Sequence, residues 1–327
     1  MPHLVWFKCR RPVLLGLLAL VLVPSTAGCR EAPPSGQAAA SPGAGTATDA
    51  PLKVVCTIGM ITDVVRNIGG PRVEVTGLMG EHVDPHLYKA TPADHRALSA
   101  AEVIFYGGLH LEGKMADLFV QMARKKPVYA VTQDIDPSKL REPPEFEGQF
   151  DPHVWFDVSL WQSAVGTIRD GLSAVRPAWK DEFAARAADY TAKLDELHDW
   201  CRLRIASLPV ERRVLVTAHD AFGYFGRAYG MEVLAIQGIS TESEAALKKI
   251  NDLVDTLVAR KIPAVFIESS VNPRTIQALI EGCKARGHVV RIGGELFSDA
   301  MGAAGTTEGT YIGMVRHNVE TIVKALQ

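Results

Sequence analysis

The sequence has 327 residues, of which 47% are hydrophobic and 22% charged, and its formal net charge is −2 at pH 7. That length fits two domains of roughly 100–200 residues each, and the composition is typical of a soluble globular protein. The near-neutral charge and the lack of a polybasic run exclude a protein that binds nucleic acid or is held electrostatically at a membrane surface.

Residues 1–28 are predicted to be a signal peptide. A positive start formed by Lys8, Arg10 and Arg11 precedes an apolar run from Pro12 to Pro24. This run is too short to span a bilayer, which takes about 20 helical residues, but it has the length of a signal-peptide core. The chain is therefore expected to be secreted.

Cys29 is the predicted site of lipid attachment. The small residues Ser25 to Gly28 precede it, as in a bacterial lipobox, although Thr26 stands where an aliphatic residue is usual. Residues 29–51 are rich in Pro, Gly, Ala, Ser and Thr, and they are predicted to be a flexible tether behind the lipidated cysteine. Secretion without lipid is the alternative.

The cysteines of the mature chain do not indicate a disulfide framework. Cys56, Cys201 and Cys283 are scattered and lack CxxC spacing. An odd number of such thiols is typical of small buried hydrophobic side chains.

Strand-length apolar runs alternate with helical patterns from Leu52 onward. The first set of predicted strands is Leu52–Thr57, Val73–Met79, Glu102–Tyr106 and Pro127–Val131. Helices fit between them, and Thr91-Pro92 is a start signal for a helix over Pro92–Ala100. Alternating strands and helices predict a parallel sheet with right-handed crossovers. Residues 52–176 should therefore form an N-terminal α/β lobe.

The same alternation occurs again near the C-terminus. The second set of predicted strands is Arg213–Thr217, Glu232–Ile236, Ala264–Ile267 and Val289–Ile292. Residues 209–327 should form a second α/β lobe. The predicted fold class is thus α/β, with two lobes that each contain a four-stranded parallel sheet flanked by helices.

A long helix is predicted between the lobes, within residues 177–208. The segment Trp179–Ser207 contains neither Gly nor Pro, and its apolar residues recur at spacings of three and four. A single helix of roughly 40 Å follows from a rise of 1.5 Å per residue. Because a helix is stiffer than a loop, it should limit hinge motion between the lobes.

Three histidines and one aspartate stand between a predicted strand and the next helix. They are His86, His153, His219 and Asp299. Ligands bind at the carboxyl ends of parallel strands, so two residues from each lobe could meet in a cleft between the lobes. The first two histidines share the motif Asp-Pro-His, whose proline stiffens the backbone before each predicted ligand.

The four side chains predict a site for one divalent transition metal. Three neutral imidazoles and a carboxylate form a closed shell of the kind that binds first-row metals. A closed shell leaves no position for a reacting water, which favours metal carriage over catalysis. Because imidazoles have a reference pKa of about 6.5, binding is expected to weaken below about pH 6.

Two other side chains compete for places in or beside the shell. His110 also follows a strand, and Glu268 ends the strand Ala264–Ile267. Either could be a ligand, with Glu268 replacing Asp299, or a hydrogen-bonding neighbour that orients an imidazole. His110 could also be a structural residue with no role at the site. The neighbour role is the preferred interpretation for Glu268.

Five segments resemble the TroA-like family of metal-binding lipoproteins, the ZnuA/PsaA-type solute-binding proteins of zinc and manganese ABC transporters. These segments are Asp84–Asp94, Asp151–Val158, Thr217–Phe225, Gly238–Glu244 and Glu295–Met314. The resemblance covers roughly Lys53 to Leu326. It implies metal ligands at His86, His153, His219 and Asp299, in a cleft between two α/β lobes joined by a rigid helix.

The resemblance also implies a function. The chain would capture one Zn²⁺ or Mn²⁺ and deliver it to an ABC transporter permease, as a monomer, without enzyme activity and without a nucleic-acid partner. It would act in the periplasm or anchored by lipid to the outer face of the cytoplasmic membrane.

The choice between zinc and manganese stays open. Zinc-specialist relatives often carry a His-rich acidic loop, but Gln133–Phe150 contains no histidine. Manganese specialists often have Glu where this chain has His219. The lack of a His-rich loop argues against a zinc specialist, whereas His219 argues against a manganese specialist.

Three other functions stay open. A metal-dependent hydrolase would need a general base, for which Glu268 is the candidate. A binder of a larger solute, such as an iron chelate, would need a wide, hinged cleft. A role in adhesion to a host could coexist with metal capture.

Overall fold

A computed structural model describes residues 50–242 and 246–327. The predicted signal peptide, Cys29 and nearly all of the predicted tether lie outside the described residues. In the described part, no helix is both long enough and apolar enough to cross a membrane.

The first lobe contains one parallel four-stranded sheet, as predicted. Its strands are β1 (Leu52–Cys56), β2 (Val73–Gly77), β3 (Val103–Tyr106) and β4 (Val128–Ala130), in the order β2-β1-β3-β4. Val54 of the central strand β1 pairs with Val75 on one side and Val103 on the other. The helices of this lobe are α1 (Gly59–Gly69), α2 (Pro92–Ala100), α3 (Ala116–Ala123) and α4 (Val158–Val175).

The long helix α5 spans Lys180–Ala206, 27 residues, directly after a 3-10 turn at Pro177–Trp179. One face is buried at spacings of three and four, namely Phe183, Ala187, Tyr190, Leu194, Leu197, Cys201 and Ile205. This face packs against α1, α4 and the C-terminal helix α9 (Tyr311–Leu326). The connecting helix is therefore embedded in the core along its length.

The second lobe contains four parallel-paired strands as two hydrogen-bonded pairs. The strands are β5 (Val214–Thr217), β6 (Glu232–Ala235), β7 (Ala264–Glu268) and β8 (Arg291–Leu296). β5 pairs with β6, β7 pairs with β8, and β5 lies beside β7. The remaining helices are α6 (Gly223–Tyr229), α7 (Leu247–Arg260) and α8 (Arg274–Ala285).

Two details of the second lobe differ from the prediction. Its strands form two hydrogen-bonded pairs and not one continuous sheet. Where β5 ends beside β7, the backbone amides of Ala218 and His219 donate to the Glu268 side chain. β8 also runs past the predicted end at Ile292 to Leu296. A bulge opposite Val265 and Phe266 accommodates Gly293 and Gly294, and such bulges increase the local twist.

The main hydrophobic core extends from the first lobe through α5 to α6 and α9, and a smaller cluster lies beneath α7 and α8. Asp63 on α1 joins three helices, since its carboxylate accepts hydrogen bonds from the Tyr190 hydroxyl of α5 and the Tyr311 amide of α9. Cys56, Cys201 and Cys283 are buried free thiols, as predicted. The packing of α9 against α1 means that the second lobe is tied to the first by more than α5.

Candidate metal centre

The structure brings together the four side chains predicted as ligands. His86 lies between β2 and α2, His153 between β4 and α4, His219 just after β5, and Asp299 just after β8. All four are buried, with at most 3% of the residue exposed. Each offers one ligand atom, and these atoms all lie within 4.8 Å of one another. Two residues come from each lobe, as the strand positions predicted.

The separations between these atoms fit a single small cation. Nε2 of His86 lies 3.3 Å from Nε2 of His153. The Asp299 carboxylate oxygens lie 3.2 Å from Nε2 of His153 and from Nε2 of His219, and 3.7 Å from Nε2 of His86. A tetrahedral ion with bonds of 2.0–2.1 Å would place its ligand atoms about 3.3 Å apart. The cluster could therefore hold one metal ion.

Unpaired polar atoms converge at the same point. Both carboxylate oxygens of Asp299 and Nε2 of His219 are buried and have no hydrogen-bond partner among the described residues. Buried polar atoms are normally paired, because an unpaired one costs the free energy of its lost hydration. A bound cation would supply the missing partner for all of these atoms at once.

The aspartate of each Asp-Pro-His motif fixes the backbone of its histidine. Asp84 Oδ1 accepts the His86 amide at 2.9 Å, and Asp151 Oδ1 accepts the His153 amide at 2.9 Å. These short-range bonds hold the two predicted ligand loops in matching turns. The sequence indicated the stiffening by proline but not this role of the aspartates, although both stand two residues before a histidine.

Two carboxylates support the rings of His153 and His219 from behind. Asp151 Oδ1 lies 2.8 Å from His153 Nδ1, and Glu268 Oε2 lies 2.5 Å from His219 Nδ1. Glu268 Oε1 also accepts the amides of Ala218 and His219. A proton on each Nδ1 leaves Nε2 free to bind a metal, which is the usual role of such carboxylates. Glu268 is thus placed as a hydrogen-bonding neighbour, and its carboxylate faces Nδ1 of His219.

Asp151 is itself held by a cation from the same lobe. The Arg141 guanidinium pairs with Asp151 Oδ2, and the Tyr224 hydroxyl donates to the Asp151 carbonyl. The partners of Glu268 are the two backbone amides and the imidazole. The two supporting carboxylates are therefore balanced by different groups.

Burial and the neighbouring carboxylates shift the pKa values of the three imidazoles in opposite directions. Burial lowers the pKa of His86 to about 3, and this outweighs the attraction of Asp299. Burial also acts to lower the pKa of His153, but the negative charges of Asp299 and Asp151 outweigh burial and raise this pKa to about 9. For His219, Glu268 and Asp299 overcome burial and raise the pKa well above its usual range.

The pKa of the Asp299 carboxylate is shifted in the opposite direction, downward. Burial raises the pKa of Asp299, but the neighbouring His219 and His153 outweigh burial and hold it well below its usual range. Asp299 therefore stays ionised and attracts positive charge. Protons and a metal ion must compete for the nitrogens around it.

The other predicted candidates lie apart from the cluster. His110 is exposed at the rim of a cavity in the first lobe, beside Glu112 and Phe119, with its backbone in the left-handed region at φ 63°. Among the described hydrogen bonds and ring contacts, none joins His110 to the four clustered side chains. The position after a strand was a misleading signal here: the backbone turns through left-handed conformations at Gly108, Leu109 and His110, and the His110 side chain is left exposed.

Two α/β lobes joined by an embedded helix, with a buried three-histidine, one-aspartate cluster between them, define a class of two-lobed proteins that can hold a metal ion. The family described as ZnuA, zinc-uptake complex component A, periplasmic, matches residues 54–325. The chain belongs to this family.

Individual relatives are similar over most of the chain. The zinc-binding protein TroA of Treponema pallidum is 52% identical over 280 residues, covering 86% of this chain and 90% of the relative. A solved structure of that periplasmic zinc-binding protein matches with a TM-score of 0.82, covering 85% of this chain and 99% of the other. The manganese-binding lipoprotein MntA of Bacillus subtilis is 50% identical over 285 residues, covering 87% and 92%.

A third relative matches over an even larger share of the chain. The manganese ABC transporter substrate-binding lipoprotein PsaA of Streptococcus pneumoniae is 31% identical over 320 residues, covering 96% of this chain and 97% of the relative.

Proposed function

We propose that this chain captures one divalent zinc or manganese ion outside the cytoplasm and delivers it to an ABC importer. His86, His153, His219 and Asp299 are the proposed ligands. The observation that carries the proposal is that four buried ligand atoms from two lobes lie within 4.8 Å of one another. The names of the relatives, which bind zinc or manganese and include an ABC transporter component, support the same function.

Capture without catalysis is the proposed mode of action. Glu268, the candidate base for a hydrolase, is engaged by His219 and two backbone amides. A base must reach the proton that it removes, and this carboxylate faces an imidazole nitrogen. The separations of 3.2–3.7 Å within the cluster leave room for one ion but not for a chelate.

Elemental analysis combined with competition titration tests the metal. The mature chain is expected to bind one zinc or manganese ion, and titration of each metal against a chelator ranks the two. The relatives at 52% and 50% identity carry different metals in their names, so identity does not separate the cargoes. The affinity order of divalent metals favours zinc in nearly any site. A chain that retains neither metal would overturn the proposal.

The variant His153→Ala tests the proposed ligand set. We expect metal affinity to fall by more than the roughly 100-fold that is typical for loss of a supporting residue. His95→Ala is the matched control, because His95 is an exposed histidine on α2. Circular dichroism should show that both variants remain folded. Unchanged affinity in His153→Ala would remove this residue from the shell.

The membrane anchor and the partner form a separate part of the proposal. Lipid on Cys29 would hold the chain at the outer face of the cytoplasmic membrane or in the periplasm, where it meets the importer as a monomer. Expression with labelled fatty acid is expected to label the wild-type chain but not Cys29→Ser. Equal labelling of the two chains would place the lipid elsewhere.

A further inference from the structure

Asp84, two residues before the proposed ligand His86, connects the two lobes. Its Oδ1 accepts the His86 amide within the loop, while its Oδ2 accepts the Thr241 hydroxyl at 2.6 Å. Thr241 lies in the second lobe, in the segment between β6 and α7. One carboxylate therefore holds a proposed ligand loop and the opposite side of the cleft at the same time.

The other Asp-Pro-His motif is used differently. Asp151 directs its Oδ1 to the amide and ring of His153, and its Oδ2 to Arg141 of the same lobe. The aspartate carboxylate thus supports a histidine ring in one loop and bonds to the second lobe in the other. In the His153 loop the bond to the second lobe is made instead by the Asp151 carbonyl, which accepts the Tyr224 hydroxyl.

Two weaker contacts between the lobes flank the Asp84–Thr241 bond. Nδ1 of His82 lies 3.0 Å from the Ser269 carbonyl, and Nζ of Lys114 lies 2.7 Å from Oε1 of Glu242, the residue after Thr241. Both contacts are exposed: water competes for the hydrogen bond of His82, and water and salt screen the Lys114–Glu242 ion pair, which therefore contributes little. Asp84 and Thr241 are half-buried. A hydrogen bond to an ionised carboxylate is stronger than a neutral one, so this bond is the principal contact of the group.

We propose that the Asp84–Thr241 hydrogen bond is a clasp across the cleft that controls how fast a bound ion leaves. The inference rests on the proposed function, metal capture between the lobes. The four clustered side chains are buried, and His86, with 3% of the residue exposed, is the least covered of them. We infer that an ion leaves on the His86 side, when the loop carrying this residue separates from the second lobe. That separation must break the clasp. Asp84 and Thr241 lie outside the cluster of four proposed ligands, so the clasp would position a ligand loop and not bind the ion.

Stopped-flow dissociation of Zn²⁺ into an excess of chelator tests the proposal on the mature chain. Thr241→Val keeps the shape of the side chain but removes the hydroxyl, and Thr241→Ser keeps the hydroxyl. We expect Thr241→Val to release zinc about tenfold faster, the effect of losing one hydrogen bond to a charged group. Thr241→Ser should stay within about twofold of wild type.

A matched control separates the clasp from the general effect of losing a threonine hydroxyl. Thr256 on α7 donates to the Asp252 carbonyl within its own helix, so Thr256→Val should release zinc at the wild-type rate. All variants should still bind one zinc ion. A wild-type release rate in Thr241→Val, with binding intact, would overturn the clasp.

Failure of the proposed function would give a different result, since the wild-type chain would then bind no zinc. Amide hydrogen exchange tests the clasp without any metal. Residues 80–88 and 238–242 should exchange faster in Thr241→Val than in Thr241→Ser, because both segments lose a shared contact. Equal exchange in the two variants would overturn the clasp whatever the metal result.

Discussion

Two of the proposed ligands, His153 and His219, each have a neighbouring carboxylate that fixes the orientation of the ring. Asp151 and Glu268 lie at Nδ1 of His153 and His219, so in each ring the Nε2 atom is directed at Asp299. A change that keeps the size of such a neighbour but alters its hydrogen bonding should reduce metal binding while leaving the fold intact.

The variant Glu268→Gln tests whether this carboxylate orients the ring of His219. In glutamine the side-chain oxygen would accept the two backbone amides, and the NH2 group would then face His219 Nδ1. Because NH2 can only donate a hydrogen bond, Nδ1 would have to accept it, and the ring would favour the tautomer with its proton on Nε2. We expect metal affinity to fall by about 10–100-fold. Glu112→Gln is the matched control, because Glu112 is equally buried but hydrogen-bonds to Thr57 and Gly107 instead. Equal affinity in both variants would contradict this role.

The pH dependence of metal binding follows from the same carboxylates. Asp299 and Asp151 raise the pKa of His153 to about 9 against the effect of burial, and His219 is shifted in the same direction. Lowering the pH through this range adds protons to nitrogens that the ion needs, so affinity should fall. The expected slope is about tenfold per pH unit for each proton displaced. The decline should thus begin above pH 7, well above the onset near pH 6 that reference values predict.

Competition titration at pH 6, 7 and 8, corrected for protonation of the chelator, measures this slope. Calorimetry in buffers with different heats of ionisation should show proton release on metal binding. Constant affinity between pH 6 and pH 8 would rule out proton competition at His153 and His219.

At the scale of elements, the helix that follows the His86 loop begins with a complete capping box. The Thr91 hydroxyl accepts the Asp94 amide at 3.2 Å, and the Asp94 carboxylate accepts the Thr91 amide at 2.7 Å and the Tyr88 hydroxyl at 2.6 Å. The cap satisfies amides that a helix leaves unpaired. It also fixes Tyr88, two residues beyond His86, so helix and ligand loop share one anchor.

Thr91→Ala should lower the free energy of unfolding by about 1 kcal/mol, the usual effect of losing such a cap. Urea denaturation at pH 7 measures the change. Thr256→Ala in the interior of α7 is the control, and there the higher helix propensity of alanine should keep stability close to wild type. If both variants lose the same stability, the cap has no special role.

At the scale of the molecule, the lobes are joined by packed helices and not by a free hinge. α5 is buried along one face, and α9 of the second lobe packs on α1 and α5. Trp155 adds two hydrogen bonds between the lobes, since its Nε1 donates to the Ser298 carbonyl and its own carbonyl accepts the Tyr311 hydroxyl. A large rotation would break this packing, so ion exchange should involve small movements near the cleft.

Small-angle X-ray scattering with and without zinc tests this rigidity. A compact monomer of residues 50–327 has an expected radius of gyration of about 19 Å, and a dimer would be about 1.3 times larger. We expect a monomer value that does not change on zinc saturation. Compaction by several ångströms would show a hinged cleft and contradict the embedded helix.

The amino-acid pattern alone was sufficient for most of the elements and for selecting the four clustered side chains, although the end of β8 and the pairing of the second-lobe strands were predicted wrongly. The helix Pro92–Ala100 was predicted with its observed bounds, because Thr91 and Pro92 carry the start signal locally. The strands of the first lobe were found within two residues, since short apolar runs mark them. His86, His153, His219 and Asp299 could be selected because each follows a strand, two share a motif, and the family resemblance agrees.

The tertiary structure decided everything that depends on contacts between distant residues. Identical Asp-Pro-His motifs became a ring support at Asp151 and a bridge between lobes at Asp84, whose partner Thr241 is 157 residues away. His110 follows a strand as the proposed ligands do, yet the backbone turns it to the surface. Local signals specify strands, helices and caps because their causes lie within a few residues. Which side chains meet across the cleft is set by the packing of whole lobes, and no local pattern contains that information.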